Sequence, residues 1–184
     1  MEFDFSLIIH SIPLLLRGAG LTLEITALAV GLGLLIGLVA SLAQLSKSPL
    51  LRLPAKVYVD CIRGTPLLIQ IFIIYFALPN IIGHRIDPFI AAVTACSLNS
   101  GAYIAEIFRG GIQGIPSGQY EAGQVLGMTK SQIFFKVTLL QVIKRVIPPM
   151  GNEFINLVKD TALARTIAVY EVLWMGEKFI KSAG

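Results

Sequence analysis

Glu153, Asn156 and Asp160 are three polar side chains set in an otherwise apolar part of the sequence. The segment from Arg145 to Arg165 is long enough to cross a bilayer, yet it also carries Pro148, Pro149, Asn152 and Lys159, a set that lipid alone does not accept. A charge at the bilayer centre costs about 2.5 to 3.5 kcal/mol on insertion scales, so both carboxylates must face protein or water. On a helix, residues seven apart fall within about 20° of one another in projection, and Asn156 lies between the two acids at i+3 and i+4. One polar stripe results. A span from Val146 to about Arg165 puts Asn156 near its middle, and a span from Phe89 to Phe108 puts Leu98 and Asn99 at the same depth, with Ser100 beside them. Tyr103 and Glu106 continue the Asn99 face at i+4 and i+7, and Gln70 reaches the same level from another segment.

The elements that must carry these residues are apolar spans. Of the 184 residues 55% are hydrophobic and only 14% charged, whereas a soluble domain carries about 25% charged residues. The missing charges are absent from whole blocks. Ile25 to Ala43 runs 19 residues without a charge, enough for about 30 Å of hydrocarbon, and its Gly33 and Gly37 form a GxxxG pair that admits a second helix closely. It starts earlier, because Leu14 to Leu23 is apolar apart from Arg17. Ser46 to Pro54 reads as a break, Leu67 to Ile82 as the second span, Pro88 to Phe108 as the third, and the polar segment after Arg145 as a weaker fourth. Lys and Arg gather in the first loop (Lys47, Arg52, Lys56) and after the third span (Arg109, Lys130, Lys136, Lys144, Arg145). The second loop has only Arg85, offset by Asp87. Basic loops stay on the cytoplasmic side, so the N-terminus is expected outside. Glu2 and Asp4 precede any base, the wrong charge for a cleaved signal peptide.

Ile115 to Lys136 reads as two helices meeting at a cytoplasmic corner. Ser117 is expected to cap the first, with Glu121 near its positive end, and Ala122, Val125 and Leu126 share one face. Gly127 suits a left-handed stop, and Thr129 with Gln132 forms a capping box for the next helix. An interfacial helix lying on lipid would have a Lys/Arg-rich polar face. No Lys or Arg occurs from Gln113 to Met128, and a protein partner fits better.

Midplane polar groups beside Pro148, Pro149, Gly151 and Gly101 are the pattern of a transporter binding site. The candidate substrate-binding residues are Glu153, Asn156, Asp160, Asn99, Ser100, Tyr103 and Gln70. Two carboxylates suit the cationic side chain of arginine, lysine or histidine, while N–H groups at Gly101 or the Pro-broken turns, or Lys159, could hold a carboxylate. The same groups could instead hydrogen-bond neighbouring helices, or serve folding or gating.

Tyr120-Glu121-Ala122-Gly123 and Gly127 resemble the "EAA" loop of ABC importer permeases. Three further stretches resemble the polar amino acid branch of that family, the histidine, glutamine, glutamate and arginine permeases. These are Arg63-Gly64-Thr65-Pro66 with the apolar run after it, Tyr103 to Gly111, and Asn152 to Ile155 with Lys159-Asp160-Thr161. Together they cover about Ile25 to Leu173. Two departures are Gly123 where alanine is usual, and Leu139-Leu140 in place of a Leu-Pro pair. The resemblance implies an all-α, polytopic bundle, the type I ABC importer transmembrane domain. It would form one permease domain over residues 1–184, with its coupling loop at about 115–136. Four spans are legible, and the family's fifth has no apolar block left before Gly184.

The resemblance also implies that Tyr120, Glu121, Ala122, Gly123 and Gly127 couple to an ATPase. The partners implied are an ABC ATPase dimer, a second permease subunit (the same chain or a close homologue), an extracytoplasmic amino-acid-binding protein and a polar amino acid substrate. The site implied is the bacterial inner membrane. No cofactor is expected in this chain, since ATP and Mg would sit on the ATPase, and no GxxxxGK[ST] is present. The chain is therefore expected not to be an enzyme. A permease for ions or sugars would share the corner but not the Arg63 to Pro66 and Glu106 to Gly111 stretches. A membrane-embedded enzyme using Glu153 and Asp160 as acid and base lacks HExxH, GxSxG or a metal set, His10 and His84 being scattered and Cys61 and Cys96 forming no CxxC. The net charge of +4 sits between apolar blocks without interleaved aromatics, which argues against nucleic acid.

Overall fold

Two glycines set the central helix pair. In the computed structural model, which describes residues 5–167 without the side chains of 5–11, 14, 165 and 166, the first span is helix α1 (Phe5–Leu45). A Cβ added at Gly37 would stand 2.6 Å from Ile104, and one at Gly33 would stand 3.1 Å from Ser100. Both neighbours lie on α5 (Pro88–Gln113), which runs parallel to α1. The GxxxG pair therefore works as the sequence predicts. Ile25 and Ala29 of α1 pack with Ala91, Ala92, Ala95 and Cys96 of α5, all fully buried, so small residues bring the two backbones together along most of their length.

Parallel neighbours need a return segment between them, and that segment is broken. Leaving α1, the chain turns over three residues into α2 (Pro49–Arg63), with a proline at the start where no N–H is needed. The expected break over Ser46 to Pro54 is thus shorter, because Pro49 opens a helix and Pro54 falls inside its first turns. At Gly64 to Pro66 the direction changes by 107°. Then α3 (Leu67–Phe72), a π turn (Ile73–Ala77) and α4 (Leu78–Ile82) continue as one rod to Gly83, whose φ of 80° closes it. Asp87 caps α5 by accepting from the Phe89 and Ile90 amides at 2.9 and 3.3 Å. Among the described residues two helices are long and apolar enough to cross a membrane, three if the bent pair counts as one span.

Beyond α5 comes the corner. Helix α6 (Ser117–Val125) begins at Ser117 itself, preceded by Pro116, and no side chain caps it. The expected Ser117 cap is absent because Pro116, extended at φ −60° and ψ 138°, already places Ser117 in the first turn. The far end follows the sequence closely. Gly127 has φ 71°, and the Met128 and Gly127 amides donate to the Gly123 and Gln124 carbonyls at 3.0 and 2.9 Å, a Schellman closure. Thr129 and Gln132 form the capping box of α7 (Lys130–Ile133), with bonds of 2.9 and 3.3 Å.

A π turn (Phe134–Thr138) leads into α8 (Leu139–Asp160), which runs antiparallel to α5. Val146 lies against Gly111 near the corner, and Leu157 reaches the buried cluster of Ala95 and Cys96. The expected fourth span, Val146 to about Arg165, is shifted. The α-helix starts well before Val146 and stops at Asp160, where the Thr161 hydroxyl donates to the Val158 carbonyl at 2.7 Å and a 3-10 segment (Thr161–Ile167) follows. Asn156 therefore sits near the end of α8, not its middle. This helix is too polar to pass as a span on composition alone. The resemblance from 168 to Leu173 lies outside the described residues, as do Glu2 and Asp4.

Candidate functional site

The break between α2 and α3, the middle of α5 and the last turns of α8 enclose a cavity of about 570 Å³. That volume suits a small ligand. Five of the seven residues expected from the sequence line it: Asn99 and Tyr103 from α5, and Glu153, Asn156 and Asp160 from α8. The stripe argument on α8 therefore holds in space, even though its helix ends sooner than expected.

The other two lie just outside the lining. Ser100 is fully buried, its Cβ turned toward Gly33 of α1. Gln70 is buried at the bend, where its amide nitrogen donates to the Ile62 and Thr65 carbonyls at 2.8 and 3.0 Å and its oxygen accepts from Asn99 at 3.2 Å. Those carbonyls are freed where α2 stops, and buried carbonyls need partners. Gln70 thus holds the break closed and positions Asn99. Gly101, offered by the sequence as an anion donor, packs on the other side of α5. A Cβ there would stand 2.9 Å from both Ile36 and the Tyr58 hydroxyl, which donates to the Leu98 carbonyl at 2.6 Å.

Sequence reasoning passed over Arg63, Gly64, Thr65 and Pro66 as site residues, although it singled them out as a motif. The usable signal was the break itself: Gly-Thr-Pro after a basic residue inside an apolar region frees backbone and marks irregular structure, which within a membrane occurs only where it lines a cavity or is buried in protein. Arg63 lies 5.3 Å from the centroid of the Tyr103 ring and 3.9 Å from the Glu106 carboxylate. Glu106 in turn takes a two-pronged bond from Arg109, whose Nε stands 3.0 Å away. Arg63 is committed to these partners. Lys159 also lines the cavity, is exposed, and forms no salt bridge among the described residues. The cavity thus presents two carboxylates, two amides, one aromatic ring and two cations, a set that matches a zwitterion with a polar side chain.

The corner is the second candidate surface. Val125 and Tyr120 of the nine-residue helix and Leu126 just after it are 87%, 37% and 78% exposed, while Gly123 is buried against Ile133, 2.6 Å from an added Cβ. The departure from alanine at Gly123 therefore has a local cause. The Arg145 guanidinium bonds the Gly114 carbonyl and Gln141 bonds Gln119 at 2.9 Å, so α8 grips the corner at the N-terminal end of α6.

Residues 29–182 match the family model described as "Binding-protein-dependent transport system inner membrane component". The glutamine transport system permease protein GlnP of Escherichia coli K12 is 44% identical over 181 residues, 98% of this chain and 83% of that protein. The arginine transport system permease protein ArtQ of Bacillus subtilis is 40% identical over 94% of this chain and 79% of its own length. A crystal structure of an amino acid ABC transporter with histidines superposes with a TM-score of 0.90 at 40% identity, covering 99% of this chain and 84% of that one. The chain belongs to the family of binding-protein-dependent transport system inner membrane components, the permease subunits of ABC importers.

Proposed function

We propose that this permease imports a polar amino acid through the α2–α5–α8 cavity, which closes toward one side of the membrane while opening toward the other. The observation that carries this reading is the pairing of Glu153 and Asp160 with Lys159 in one cavity, where a zwitterion finds a partner for each charge. Lys159 takes the substrate carboxylate, since Arg63 is already engaged by Glu106 and Tyr103. Glu153 and Asp160 take the amino group and a cationic or amide side chain. The relatives named for glutamine and arginine transport, and the solved transporter described with histidines, support this substrate class.

In this family ATP hydrolysis belongs to separate ATPase subunits. We place the ATPase at the exposed apolar face of α6, on the cytoplasmic side, with the N-terminus outside, a second permease subunit beside this one and a binding protein delivering substrate from outside. The test of the site is amino acid affinity in the purified transporter. Glu153→Gln and Asp160→Asn should each weaken binding of a basic amino acid by at least about tenfold, or 1.4 kcal/mol. Unchanged affinity in both variants would remove the carboxylates from the site.

A further inference from the structure

The amphipathic helix α2 has an unassigned cleft on one face and an apolar groove on the other. Arg52, Lys56 and Asp60 follow one another at i, i+4 and i+8 and line a cleft of about 510 Å³ with Lys47, Arg63 and Arg109. Glu106 engages the last two, and Lys47, Arg52 and Lys56 are exposed and in no salt bridge among the described residues. Two carboxylates line the cleft, and with Glu106 engaged only that of Asp60 is left to face the three unpaired cations. The opposite face, Leu50, Leu51 and Pro54, forms with Leu35 and Val39 of α1 a groove of about 640 Å³ whose lining is almost wholly apolar. Leu50 is 85% exposed and Val39 68%. Cleft and groove meet at the α1–α2 turn, where Ala43 and Leu51 of the groove adjoin Gln44 and Arg52 of the cleft in the chain.

We propose that this pair is a binding site for one anionic phospholipid, its phosphate among Lys47, Arg52 and Lys56 and an acyl chain along the α1–α2 groove. Basic pockets between membrane helices bind such headgroups, and long basic side chains at a helix end reach the interface while their stems stay apolar. A soluble anion would use the cleft but leave the groove exposed. A partner protein in water would satisfy the cations but not a groove that continues the lipid-facing surface of α1. The inference rests on the membrane placement of α1 and α5 and is independent of the amino acid reading.

The test is native mass spectrometry of the assembled transporter taken from bilayers of equal phosphatidylglycerol and phosphatidylcholine. The wild type should retain phosphatidylglycerol over phosphatidylcholine by about tenfold. The triple variant Lys47→Gln, Arg52→Gln, Lys56→Gln should retain both alike, and excess glycerol phosphate should displace neither. Equal retention in the wild type, which needs no variant, would overturn the proposal. So would a triple variant that keeps the preference, or one that keeps its lipid but loses the ATPase subunit. Neither lipid readout depends on transport, so a failed substrate assignment would leave these results standing.

Discussion

Gly37 makes the tightest of the glycine contacts between α1 and α5, and its missing side chain lets the two spans meet closely. Valine there would force Ile104 or the backbone aside, at a cost of about 1 to 3 kcal/mol, measurable as a lower thermal midpoint of the detergent-purified protein. At Gly127 the requirement is conformational, since φ is 71° with open space where a Cβ would go. Gly127→Ala should cost about 1 kcal/mol without any steric clash, whereas Gly123→Ala must displace Ile133. Both glycines at the corner were readable in the sequence, one as a helix stop and one as a departure from alanine, but only packing reveals why alanine is unwelcome at position 123. The same holds for Gln70. That it lies level with Asn99 was legible, whereas its bonds to the Ile62 and Thr65 carbonyls depend on the 107° bend, which no periodicity announces.

At the scale of elements, α8 joins the two candidate surfaces. One end holds the corner through Arg145 and Gln141, and the other carries Glu153, Asn156 and Asp160 into the cavity. On the proposed docking of an ATPase at α6, a displacement of that helix would be passed to the cavity wall along α8. Glu121→Lys should reduce substrate-stimulated ATP hydrolysis several-fold while leaving substrate affinity unchanged, because the side chain lies on α6 and far in sequence from the cavity residues. Arg145→Gln should uncouple in the same direction. The stripe on α8 was legible because its polar groups recur at 3, 4 and 7 residues. Its end at Asp160 was not, since Lys159-Asp160-Thr161 carries no glycine or proline and the stop comes from the 3-10 turn begun by Thr161. The missing Ser117 cap has a similar origin: a serine after proline can cap or can open the first turn, and the extended Pro116 selects the second.

For the molecule as a whole, α1 and α5 form a parallel pair of small-residue contacts. The broken α2–α3 segment and α8 close against that pair around the polar cavity lined by α2, α5 and α8. Polar groups within such an apolar bundle are tolerated only where water, protein or substrate meets them. The central claim is that the Asn156 position belongs to a wet passage whose open side changes. It is tested by placing cysteine at 156 in a Cys61→Ser background, the exposed native thiol removed and the buried Cys96 retained. In the assembled transporter the new thiol should react with a membrane-impermeant reagent from one face without nucleotide and from the opposite face when ATP is trapped. Reaction with lipid-soluble maleimides alone, unaffected by nucleotide, would mean that Asn156 faces acyl chains and would contradict the account.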